Sequence, residues 1–148
     1  MDGVILAQAG LNRLGIPAEN RDLNFLPLDP ETWIPAVGQG AIAIECRLDD
    51  HVVRRILKGI HHAETAACTL AERSFLSAVE GDCKVPVGAF AQYQGGLICL
   101  HAFVGDPQTG EQIVHKEVGS HPEPLGCRVA HNILTKGGAE ILARVKSA

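Results

Sequence analysis

Residues 61–148 are predicted to form an α+β unit, and two observations carry that expectation. A helix-periodic run is followed by three consecutive strand-like runs, each set off by turn residues, and a second helix-periodic run comes last. Helix, three successive strands and helix are the order expected of a small three-stranded antiparallel sheet covered by helices on one face. Nearly half the residues (46%) are hydrophobic and only 20% are charged, which points to globular material rather than a disordered chain.

From the N-terminal end, Val4 to Ala7 reads as a short buried strand and Gly10 to Leu14 as a helix start. Prolines at 17, 27, 30 and 35 break any long element between Ile16 and Pro35. Ala41 to Glu45 is a second apolar strand candidate. Asp49 and Asp50 offer an N-cap for a helical run from Val52 to Ile60. A long helix is expected over 63–79, because Ala67, Leu70, Ala71 and Phe75 recur at helical spacing and Gly81 suits its end. Strands are expected over 85–93, 97–104 and 112–118, with turns at Gly95-Gly96 and Asp106-Pro107. The closing helix, 125–145, should be bent or interrupted at Gly137-Gly138.

Composition narrows the function classes. A net charge of -4 leaves no basic stripe to neutralise phosphates, so nucleic acid is not an expected partner. There is neither a signal-peptide pattern nor an apolar stretch of membrane-spanning length, so no membrane partner is expected. The five cysteines, at 46, 68, 83, 99 and 127, form no CxxC pair, which suggests neither zinc nor a thioredoxin-like motif and fits a reducing cytoplasm. Seven histidines show no HExxH or i, i+4 pairing, and no metal site is expected.

The chemically informative segment is Glu80-Gly81-Asp82-Cys83-Lys84-Val85-Pro86-Val87-Gly88. It sets a thiol on a glycine-flanked turn between a helix-like and a strand-like run. A thiolate is the nucleophilic form of cysteine, and the neighbouring Lys84 could favour it. The alternative is an inert packing thiol. Two further segments stand out: Pro35-Ala36-Val37-Gly38-Gln39-Gly40-Ala41-Ile42-Ala43-Ile44-Glu45-Cys46-Arg47 and Leu6-Ala7-Gln8-Ala9-Gly10-Leu11-Asn12-Arg13-Leu14-Gly15.

Together with Ala71-Glu72-Arg73-Ser74-Phe75-Leu76 and the final helix, these three segments closely resemble the porphobilinogen deaminases, also called hydroxymethylbilane synthases. The resemblance covers nearly the whole chain. It implies a transferase of heme and tetrapyrrole biosynthesis that polymerises four porphobilinogen units into hydroxymethylbilane, releasing ammonia. Family members are roughly twice as long and have three domains. The resemblance therefore makes residues 1–34 the end of a second α/β domain and 35–60 a crossover segment of the first, both periplasmic-binding-protein-like. Residues 61–148 become the α+β cofactor-bearing domain. It also implies an N-terminal half as partner, carrying the catalytic aspartate, so no catalytic residue is assigned here and the chain alone is expected to be inactive. An isolated cofactor-arm fragment is the alternative to an enzyme subunit. A plastid is compatible with the resemblance in a phototrophic eukaryote.

By resemblance, Cys83 carries a dipyrromethane through a thioether. This primer is extended by porphobilinogen through linear oligopyrrole intermediates. A soft nucleophile on an unencumbered turn suits that task, and Gly81 meets the need. The family often has glycine where this chain has Asp82, whose carboxylate would tend to raise the thiol pKa. Arg13 is expected to grip acetate or propionate groups, since a guanidinium binds a carboxylate with two parallel hydrogen bonds; a solvated helix arginine is the alternative. Arg21, Arg47 and Arg73 are weaker candidates, and Arg47 is expected to pair with Glu45 or Asp49. Gln39 and Gly40, with Gly38, could orient a carboxylate or pyrrole N–H, or form a simple hinge turn. Gly10 permits close approach to the cofactor or merely a helix entry. A redox role for Cys83 is disfavoured, because no resolving cysteine lies close in sequence. Segments before His61 should leave strand edges and apolar surface uncovered, so the autonomous folding unit is expected to start near His61.

Overall fold

A computed structural model of the chain describes residues 3–16, 24–79 and 86–147. Cys83, with Gly81, Asp82 and Lys84, and also Arg21, lie outside the described residues.

The C-terminal unit has the expected order. Helix α3 (Ala63–Ala78) leads to strands β1 (Val87–Gln94), β2 (Leu97–Gly105) and β3 (Gln112–Gly119), then to helix α4 (Pro122–Ile133). The strands form one antiparallel sheet in the order β1-β2-β3. Ala89 faces Ala102 across the first pair and His101 faces Lys116 across the second. Period-two alternation along β2 sends Ile98, Leu100, Ala102 and Val104 to the helix-covered face, where all four are buried. Phe75 of α3, Val79 just after it, Leu125, Val129 and Ile133 of α4, and Ile141 pack in the same core.

The helix after β3 breaks where glycine allows it. Helix α4 runs into a wide turn, Leu134–Gly138, where Gly137 takes φ +115°, and helix α5 (Ala139–Ser147) then resumes. Gly126 lets α4 approach α3 closely, since a Cβ there would lie 2.4 Å from the Ala71 carbonyl oxygen.

The buried stripe of α3 differs from the expectation at two positions. It comprises Ala71, Glu72 and Phe75, while Leu70 is 40% exposed. Positions 68, 71, 72, 75 and 79 share one helical face, so a carboxylate sits within the apolar stripe.

The described residues among the first sixty contain two short helices, α1 (Gln8–Arg13) and α2 (His51–Leu57), and neither buries a residue. Asp50 caps α2 as expected, its carboxylate accepting the Val53 N–H at 3.0 Å. The strand expectations for 4–7 and 41–45 are corrected, because neither segment is in a strand. A strand persists only with a ladder partner, and among the described residues none lies alongside either segment.

Residues 29–38 are the exception in this region, because they dock on the C-terminal unit. The Pro35 carbonyl accepts the Ala89 N–H at 3.0 Å, on the side of β1 away from β2. Glu31 makes an ion pair with Lys116 and lies 3.9 Å from His101 Nδ1. Val37 packs against the core. Gly88 makes room for the crossing, since a Cβ there would stand 2.7 Å from the Pro35 oxygen and 2.5 Å from the Phe103 ring.

Candidate functional site

Alternation along β1 turns one set of its N–H groups toward β2 and leaves the other facing outward, as at any sheet edge. Ala89 gives its outward N–H to Pro35, and Ala91 donates to Glu72 Oε1 at 2.8 Å. The second oxygen of the same carboxylate, Oε2, accepts the Gly38 N–H at 2.7 Å. One side chain of α3 therefore joins the edge of β1 to the turn at 36–41. That turn is closed by Gln39 N–H donating to the Ala36 carbonyl and Ala41 N–H to that of Gly38, both at 3.1 Å. Gly38 and Gly40 take φ +74° and +84°, a region that glycine enters without the steric cost of a Cβ.

Around this junction lies an open groove of about 470 Å³, lined by Gly38, Gln39, Gly40, Cys68, Glu72 and Tyr93 among others. His62 stands at its wall and caps α3, its Nδ1 accepting the Thr65 N–H at 3.2 Å. Glu72 is 7% exposed, and burial pushes its carboxyl above the usual range while the two backbone N–H groups pull it back. Burial also raises the Cys68 thiol, and the Glu72 and Glu64 carboxylates add to that shift. Both effects disfavour the thiolate of Cys68, the form that acts as a nucleophile.

Two N–H groups of the Gly38-Gln39-Gly40 turn are engaged within the chain itself. The Gly38 N–H is already taken by a carboxylate of the chain itself, and that of Gln39 by a backbone carbonyl. The Gln39 side chain and Gly40 remain at the groove. Gly10 and Arg13 lie on α1, both exposed, with no atom within 4 Å of a Cβ built at Gly10. Arg13 makes no ion pair among the described residues. Arg47 pairs with Asp50 at 3.6 Å, not with Glu45 or Asp49. Residues 47–50 form a tight turn, with the Asp50 N–H donating to the Arg47 carbonyl at 3.2 Å, and this brings the two side chains together.

Gly10 and Arg13 are not among the residues lining the groove, and Cys83 lies outside the described residues. Gln39 and Gly40 sit beside the middle of α3, whereas the segment holding Cys83 follows its C-terminal end. At 1.5 Å per residue, Val79 lies roughly 16 Å along the axis from Cys68. Both flanks of that segment are anchored: Val79 is 2% exposed, and the Pro86 carbonyl accepts the Gly105 N–H at 2.9 Å. Glu72 is the residue that sequence reasoning missed. Its signal was a carboxylate on the apolar stripe of α3, four residues from Cys68 and three from Phe75.

Two family models and a curated relative match the chain. Residues 66–135 match the family model described as porphobilinogen deaminase, C-terminal domain. Residues 1–55 match the one described as porphobilinogen deaminase, dipyromethane cofactor binding domain. A porphobilinogen deaminase of Listeria welshimeri is 40% identical over 146 residues, which cover 99% of this chain and 47% of that protein. The chain spans about half the length of this curated relative.

Proposed function

The chain belongs to the porphobilinogen deaminase family, and from that premise we propose that it is the C-terminal part of an enzyme joining four porphobilinogen units into hydroxymethylbilane. Ammonia is released at each addition, and the linear oligopyrroles are intermediates. The observation that carries this reading is the 40% identity to a porphobilinogen deaminase running through 99% of the chain. No helix among the described residues is long and apolar enough to cross a membrane, and we place the enzyme in the cytoplasm or, in a phototrophic eukaryote, the plastid.

The dipyrromethane, when bound, supplies the pyrrole terminus to which further units are joined. Cys83 is the residue that would hold it covalently, and it falls within the stretch matching the C-terminal domain. Gly10, Arg13, Gln39 and Gly40 fall within the stretch whose family model is described by that cofactor. The donor set suits a ligand rich in carboxylates: Arg13 is exposed and has no carboxylate partner among the described residues. A guanidinium so placed can bind a carboxylate through two parallel hydrogen bonds. The Gln39 amide can both donate and accept, so it can orient a pyrrole N–H or a carboxylate. Cys83 is assigned to covalent attachment on the family resemblance of its segment; at Cys68, burial and two nearby carboxylates disfavour the thiolate that such attachment needs.

The catalytic aspartate belongs to an N-terminal half that acts as partner, so this chain alone turns over no porphobilinogen. The test combines the chain with the N-terminal half of a family member and follows porphobilinogen consumption. Activity is expected only in the combination and is expected to vanish with Cys83→Ser. Turnover by the chain alone, or full activity of Cys83→Ser in the combination, would refute the assignment.

A further inference from the structure

We infer that Glu72 is a positioning residue, whose carboxylate clamps the Gly38-Gln39-Gly40 turn against the edge of β1 and thereby sets Gln39 at the groove. Three observations support it. The carboxylate is almost fully buried, 7% exposed, in a helix stripe where an apolar side chain would otherwise pack. Burying a carboxylate is costly unless its oxygens are hydrogen-bonded. Each oxygen accepts one backbone N–H, from Gly38 at 2.7 Å and from Ala91 at 2.8 Å, and these partners lie 34 residues before and 19 after it. Bonds from N–H groups to an ionised oxygen are shorter and about twice as strong as neutral ones.

Neither amide has another role. Ala91 N–H points outward from an edge strand, and the turn at 36–41 otherwise closes through the N–H groups of Gln39 and Ala41. Glu72 is hydrogen-bonded to the turn through the Gly38 amide, so its hold on Gln39 passes through the backbone. The placement of Gln39 matters to catalysis only on the reading given under Proposed function; the clamp itself does not depend on it.

The experiment is amide hydrogen exchange on the chain, wild type and Glu72→Gln. The glutamine keeps the shape but presents an NH2 donor to one of two N–H donors. In the wild type, the Gly38 amide is expected to be protected although it lies in a surface turn. In Glu72→Gln, protection of Gly38 or Ala91 should fall about tenfold or more, while Leu100 and Val129 amides in the core keep theirs. An unprotected Gly38 amide in the wild type would overturn the inference without any variant. So would unchanged protection of both amides in a folded Glu72→Gln.

A second arm uses the chain joined to its N-terminal half. Glu72→Gln and Gln39→Ala should each lower kcat, and the double variant should be no worse than the poorer single one. Fully additive losses would show that Glu72 does not act through Gln39. If Gln39→Ala has no effect while the amides respond as expected, the clamp stands and the role proposed for Gln39 fails.

Discussion

The first sixty residues and the last eighty-eight are about equally rich in apolar side chains, yet they use them in opposite ways. In the C-terminal unit, Phe75, Leu100, Leu125, Val129 and Ile141 are each 0% exposed. In the N-terminal region Ile42 is 92% exposed, Leu26 84% and Leu48 82%. The difference lies in what folds back on what. Helices α3 and α4 pack on one another and on a continuous three-stranded sheet, so each apolar face meets another. Residues 4–7 and 41–45 carry strand-like apolar runs with no ladder partner among the described residues, and their side chains stay exposed. Apolar residues become a core only where topology supplies the opposing layer.

Between the two regions lies the docked segment 29–38, held by Glu31, Pro35, Val37 and Gly38. The unit that begins with α3 is completed at its exposed β1 edge by a piece of chain from far earlier in sequence.

The largest break in this comparison should come from the core. Phe75→Ala is expected to destabilise the chain by about 3–5 kcal/mol, while Ile42→Ala changes it by no more than about 0.5 kcal/mol. Urea unfolding of the two variants reads the contrast directly; similar losses would mean that Ile42 is buried after all.

Next comes the junction. Glu72→Ala leaves two N–H groups without partners, at roughly 1–3 kcal/mol for each that stays buried. Its unfolding midpoint should fall clearly below that of Leu70→Ala, because Leu70 is 40% exposed. Gly88→Ala sharpens the same point from the other side. Its methyl would press on the Pro35 oxygen and the Phe103 ring, at a cost of about 1–3 kcal/mol. Protease cleavage within 29–38 should then accelerate while β2 and α4 stay intact. Equal resistance to cleavage would show that the segment is not held by that approach.

A smaller effect concerns pH. The Gln108 and Thr109 N–H groups, with Arg144, hold the Asp106 carboxyl below its ordinary range, against opposing desolvation. A carboxylate with a lowered folded pKa adds stability above its unfolded pKa and loses it as pH falls through the folded one. Asp106→Asn should therefore reduce stability at neutral pH and flatten the loss below about pH 4. Glu72 has the opposite sign: its raised carboxyl makes charge burial a penalty at neutral pH, relieved as pH falls through its folded pKa. Smallest of all, Arg128→Ala removes an exposed pair with Glu117, 2.6 Å long, and should cost no more than about 1 kcal/mol in a melting experiment.

How much could be read beforehand follows the same division. The three strands, α3 and the break at Gly137-Gly138 were legible because periodicity and turn glycines act locally. The strand expectations at 4–7 and 41–45 failed because pairing is not a local property. Glu72 went unread because a single carboxylate in a helix normally faces solvent, and only the distant Gly38 and Ala91 amides make burial tolerable. Gln39 and Gly40 were singled out from glycine spacing together with the resemblance; both line the groove, and the Gly38 amide of their turn is taken by Glu72. Arg13 and Gly10 were proposed by resemblance, and α1 presents them exposed rather than at that groove.

The most direct test of the central claim is an intact mass with peptide mapping, on the chain isolated from its combination with the N-terminal half after exposure to porphobilinogen. An increment of two pyrrole units is expected on the peptide that contains Cys83. An active combination in which the Cys83 peptide carries no such increment would contradict it.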